Sequence, residues 1–152
     1  MNIMVAYDDS RNAKLAIAQT VTLFRAMKPN IMLVCVVEEP RDATDTNEEK
    51  FLEAYRELKA GAEEAAQALR EEGFSPEIIM AEGDARKMIL RATKERAPDI
   101  LVIARHSNES DTGLIGRALN ALVDEIDYMT FGSVSAFLAK RVECPLLILP
   151  SR

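Results

Sequence analysis

The residues best suited to chemistry fall in four short stretches: Asp8-Asp9-Ser10, Gly83-Asp84, Arg105-His106, and Gly132-Ser133-Val134-Ser135. A helix opening near Ser133 would aim free backbone N–H groups and the positive end of its dipole at an anion. The hydroxyls of Ser133 and Ser135 would add donors, and Gly132, without a Cβ, would let a ligand approach the backbone. Ser133 would equally well cap its own helix. Asp84 reads first as an N-cap. Asp9 reads as an N-cap carboxylate at the first helix. His106 is the only imidazole, and no Ser or Cys partner can be assigned to it, which argues against a catalytic triad.

These stretches must be brought together by the elements around them. "IMVAY" (3–7) and "IMLVCVV" (31–37) are apolar runs of strand length, and "EIIMAE" (77–82), "DILVIA" (99–104) and the short "LLIL" (146–149) follow. Between them, Ala13, Ile17, Thr20 and Phe24 mark one helix, which ends near Met27 before Pro29. "EEPRDATDTNEE" (38–49) reads as a polar surface loop. Phe51, Tyr55, Leu58, Ala62, Ala65 and Leu69 mark one face of a long helix that Gly73 stops. Ala85, Met88, Ile89 and Ala92 face inward on a third helix. Strands that alternate with helices and read as continuous apolar runs predict an α/β fold, an open doubly wound parallel sheet with helices on both faces. Ligands in such sheets bind beyond the carboxyl ends of the strands, where strand order reverses.

Composition narrows the function. The 152 residues suit one domain, 1–152, with enough apolar content to fold without a metal or disulfide. A formal charge of −6 argues against nucleic acid as a partner. No apolar run reaches the roughly 20 residues of a membrane span, so membrane insertion is not expected. Charged residues arrive too early in "MNIMVAYDDS" for a signal peptide, which predicts a cytoplasmic protein. Cys35 and Cys144 lie far apart in apolar runs and read as small buried hydrophobes. One histidine and no cysteine pair at ligand spacing argue against structural zinc.

Taken in order, "IMVAYDDS", "LVCVVEEP", "EGDARKMILRATKERAPDILVIARH" and "GSVSAFLAKRVECPLLILP" resemble the universal stress protein family over nearly the whole length. The resemblance implies an adenine nucleotide alpha hydrolase-like sheet of five parallel strands in the order 3-2-1-4-5. It also implies a homodimer formed by the last strands and a role in stress tolerance. Members of the family that bind ATP carry Gly, two residues, Gly, nine residues, then Gly-Ser or Gly-Thr. Here Ala104 and Ser107 stand at the two glycines, and 24 residues separate Ser107 from Gly132. A second Gly-x-x-Gly, Gly113 to Gly116, is separated from Gly132 by 15 residues. The motif is therefore degenerate, with Gly132-Ser133 its intact element.

Carried onto this chain, the resemblance implies ATP with Mg2+ as the ligand. Asp8 would meet ribose or the adenine amino group, and Val37 would lie against the adenine ring, although sheet packing explains Val37 as well. Arg105 and His106 would meet phosphate oxygens or stand as an exposed loop pair. Gly132, Ser133 and Val134 would cradle the phosphates. Asp9 stands where glycine usually follows, and its charge should disfavour a polyanion unless magnesium or Arg105 offsets it.

Residues 108–131 form an insertion with Ile115, Leu119, Leu122 and Ile126 at helical spacing. Such a helix would cover the cleft or extend a dimer contact. The apolar tail strand, with Pro145 at its beginning, is suited to pair with another copy. The leading expectation is a dimeric binding or regulatory module of the stress response. The alternative is an ATP-binding switch or slow ATPase using the residual motif. A third reading is an accessory subunit that regulates a transporter or enzyme through the inserted helix.

Overall fold

The computed structural model describes residues 1–38, 45–105 and 133–150. The expected 108–131 insertion, together with His106 and Gly132, lies outside the described residues. Five parallel strands form one sheet: β1 (Asn2–Ala6), β2 (Asn30–Val37), β3 (Pro76–Glu82), β4 (Ile100–Ala104) and β5 (Leu146–Leu149). Their order is β3-β2-β1-β4-β5, as the resemblance implies. Among the described residues four helices connect or follow them: α1 (Arg11–Phe24), α2 (Asp45–Glu71), α3 (Ala85–Arg96) and α4 (Ser133–Ala139). A 3-10 turn, Arg25–Met27, ends the first crossover.

Alternation along the strands sorts the core into two layers. Ile3, Val5, Ile31, Leu33 and Cys35 face α1 and α2, where Ala13, Ala16, Ala62 and Ala66 let the helices approach closely. Met4, Met32, Val34, Leu101 and Ile103 face the other way, onto Ile89 and Ala92 of α3 and Leu138 of α4. Both faces of β1, β2 and β4 are thus covered, which is why their sequences are apolar without interruption.

The connections follow local chemistry. Ser10 caps α1, its hydroxyl accepting the N–H of Ala13 at 3.1 Å. Asp84 caps α3 by accepting the N–H of Lys87 at 3.2 Å. At the end of α2, Gly73 takes φ +90° and the N–H of Phe74 donates back to the carbonyl of Leu69 at 3.0 Å. Gly83, at φ +128°, makes the turn from β3 into α3. Strand ends shift by one residue from the sequence expectation, and the larger difference is that α2 begins at Asp45, within the stretch read as a loop. Its first residues are polar and lack apolar periodicity, but acidic residues suit a helix N-terminus.

Candidate functional site

Beyond the carboxyl ends of β1, β2 and β4 lies a cleft of about 330 Å³. This is the point where the chain moves from one side of β1 to the other, with β2 on one flank and β4 on the other. Val34 and Val36 of β2, Ile103 of β4 and Ile89 of α3 make its apolar wall. Asp8, Ser10 and Asn12 form one lip. Ser133, Val134 and Ser135 at the opening of α4 form another, and Glu38 stands at the end of β2. An apolar wall that meets convergent hydroxyls and carboxylates suits a flat heteroaromatic body carrying polar substituents.

The two aspartates of the β1–α1 turn do different things. Asp8 is exposed at the cleft, and its Oδ1 accepts the N–H of Ser10 at 3.0 Å. Asp9 takes φ +63°, a left-handed conformation that Asp tolerates better than most residues. Its side chain turns toward α2, where its Oδ1 accepts the hydroxyl of Tyr7 at 2.9 Å and meets Lys14 Nζ at 3.2 Å. The Tyr7 hydroxyl also reaches the carbonyl of Gly61 at 3.3 Å. Burial, and then the Asp9 carboxylate, push the Tyr7 phenol well above its ordinary range. Burial likewise raises the Cys35 thiol to about 12, with Asp8 and Asp9 adding to it. Two expectations are corrected here. Ser10, not Asp9, is the N-cap of α1, and the Asp9 charge is paired on the α2 side instead of standing among the cleft's lining residues.

Of the residues expected at a site, Asp8, Ser133 and Val134 meet in this cleft. Val37 is buried at the end of β2 but does not line it. Strand parity gives the cleft to Val34 and Val36 and turns Val37 to the layer of Leu33 and Cys35. The Val37 carbonyl accepts the N–H of Gly83 at 2.9 Å. Arg105 is exposed and also absent from the lining; its N–H donates to the Leu149 carbonyl at 2.8 Å, joining β4 to β5. His106 and Gly132 fall outside the described residues. Asn12, Val34, Val36, Ile89 and Ile103 were not named from sequence as site residues. Parity along 31–37, combined with the inward face of α3, is the signal that would have found most of them.

Beside the cleft, Arg86 reaches from α3 toward α4. Its guanidinium stands 5.8 Å from the ring centroid of Phe137 and is hydrogen-bonded to Asp84. The Arg86 bond, followed by the Lys87 N–H, holds the Asp84 carboxyl down at about 2.

Comparison with solved structures finds this fold repeatedly. The hypothetical protein MJ0577 superposes with a TM-score of 0.77 at 19% identity, over 98% of this chain and 94% of that one. An Arabidopsis thaliana universal stress protein family protein with AMP bound gives 0.62 at 22% identity, covering 99% and 91%. A universal stress protein in complex with cAMP gives 0.58 at 18% identity, covering 100% and 98%. At these identities the likeness is one of fold. Sequence comparison with curated proteins returns no match. The family model described as the universal stress protein family matches residues 1–150. With that match over nearly its full length, the chain belongs to the universal stress protein family.

Proposed function

We propose that the cleft binds an adenine nucleotide and that the protein serves as a binding module of the stress response. The observation that carries this reading is the convergence of Asp8, Val36 and Ser133, from three separate elements, on one cavity at the switch point of the sheet. Structures of the same fold that hold AMP and cAMP support it. The lining residues fit such a ligand. Val34 and Val36 offer an apolar surface to the base, and Asp8 offers a carboxylate acceptor to ribose or an amino group. Ser133 and Ser135 offer hydroxyl donors to phosphate oxygens. Asp8 and Glu38 are the carboxylates of the lining among the described residues, and with the phosphates they would hold Mg2+ if ATP were the ligand.

Melting the protein with AMP or with Mg-ATP tests the reading. At 100 times the dissociation constant a ligand adds about 2.7 kcal/mol, which raises Tm by roughly 5–10 °C for a domain of this size. An unchanged Tm with both nucleotides would overturn it.

We also infer a homodimer formed through β5, in a cytoplasmic protein. β5 is an edge strand, hydrogen-bonded on one side to β4. The carbonyls of Pro145 and Leu149 accept from Leu101 and Arg105 of that strand and its end. Alternation therefore turns the N–H and C=O of Leu146 and Ile148 outward, where a second copy would take them. Among the described residues no helix is long and apolar enough to cross a membrane.

A further inference from the structure

Gly61 lies on α2, a helix that contributes no residue to the lining of the cleft among those described. Yet a β-carbon placed on Gly61 would stand 2.3 Å from Asp9 Cγ and 2.4 and 2.6 Å from the two carboxylate oxygens. No side chain at residue 61 is compatible with Asp9 where it now sits. The contact is fixed from several directions. The Tyr7 hydroxyl donates to Asp9 and reaches the Gly61 carbonyl, Lys14 pairs with the carboxylate, and residue 9 has the left-handed φ that aims its side chain at α2. The residues on either side of it, Asp8 and Ser10, both line the cleft.

We infer that the Asp9–Gly61 interlock sets how well the cleft accepts an anionic ligand, by storing a carboxylate on the α2 side that would otherwise lie at the cleft's lip. The inference rests on the adenine-nucleotide reading of the cleft and goes beyond it. It makes Asp9 a positioning residue that acts through charge and through the turn, and Gly61 the space that permits it. Asp8 and Glu38 already bring two carboxylates to the cleft. A third, released from Tyr7 and Lys14, would repel a phosphate group and leave an uncharged nucleoside nearly unaffected.

The experiment compares AMP with adenosine on four proteins: wild type, Gly61→Ala, Asp9→Asn and the double variant. Gly61→Ala is expected to weaken AMP about tenfold more than adenosine, and added salt should narrow the gap. In the Asp9→Asn background the same alanine should leave the ratio of the two affinities within about twofold of that of Asp9→Asn alone, because the displaced side chain carries no charge. Equal weakening of AMP and adenosine by Gly61→Ala, or the same loss in both backgrounds, would overturn the inference. Adenosine and AMP binding by wild type judges the nucleotide reading separately. Should wild type bind neither, that reading fails, and the interlock is judged on the ligand-free amide resonances of Asp8 and Ser10. These resonances should move in Gly61→Ala, and unmoved resonances would overturn the interlock as well.

Discussion

Arg86 and Asp84, two residues apart at the entrance to α3, are joined by two hydrogen bonds: Nε to Oδ1 at 3.3 Å and a terminal nitrogen to Oδ2 at 2.9 Å. The same Oδ1 accepts the N–H of Lys87. One carboxylate thus caps the helix and orients a guanidinium that leans on Phe137 of α4. The pair braces two of the elements that line the cleft.

The first prediction concerns acid. The folded state holds the Asp84 carboxyl at about 2, below its ordinary value. A carboxyl lowered on folding contributes stability that is present above its unfolded value of about 3.9 and is lost as pH falls through the folded one. Asp84→Asn keeps an oxygen that can cap but removes the titration. Wild type should be the more stable at pH 6, and the two should converge between about pH 4 and pH 2. Urea denaturation across that range checks it, and a constant difference would refute it.

The second prediction separates neighbours on β2. Val36 lines the cleft and Val37 is packed in the sheet. Val36→Asp should abolish adenine-nucleotide binding while the far-ultraviolet circular dichroism remains that of wild type. Val37→Ala should cost about 2 kcal/mol of stability and leave binding unchanged. Calorimetric titration beside denaturant melts reads both. The reverse pattern would mean that the strand is rotated by one residue.

The third prediction uses the outward face of β5. Ile148→Pro removes an N–H that points away from β4, so the fold should survive while the dimer is lost. Leu147→Pro removes an N–H that alternation aims at β4 and should lower Tm sharply. Sedimentation equilibrium gives the mass, and a dimer persisting in folded Ile148→Pro would exclude pairing through this edge.

The fourth prediction concerns the thiols. Cys35 is buried and free, and burial raises it to about 12. Cys144 is half-buried and free, with burial raising it as well. Thiolate is the reacting form. A colorimetric disulfide reagent at pH 8 should therefore modify Cys144 slowly and Cys35 only after denaturant is added.

The order of the elements was legible in the sequence because each strand and helix has its own apolar period, and the family resemblance supplied the order of the strands. The faces were not. Residues 31–37 are apolar throughout because β2 is covered on both sides, so nothing in the run marks Val36 as facing the cleft and Val37 as facing the core. The start of α2 was hidden for a related reason: Asp45 to Lys50 are polar, and the periodic pattern begins only at Phe51. Asp9 shows a third limit. Its charge is plain and the family resemblance implies its placement among the phosphates, but at a positive φ its side chain lies on the other side of the turn. The side chain fits there because residue 61, 52 positions away, is a glycine, and nothing in the sequence around a glycine inside a helix marks it as that partner.

The same contact imposes an order on change. Alanine suits the middle of a helix better than glycine by about 1 kcal/mol, so residue 61 is under steady pressure to acquire a methyl group. While aspartate stands at residue 9 that step displaces its carboxylate from Tyr7 and Lys14, and once a glycine replaces it no carboxylate has to move. A lineage in which residue 61 gains a side chain avoids that displacement by first shedding the one at residue 9, and ancestors rebuilt along such branches should more often show the two replacements in that sequence.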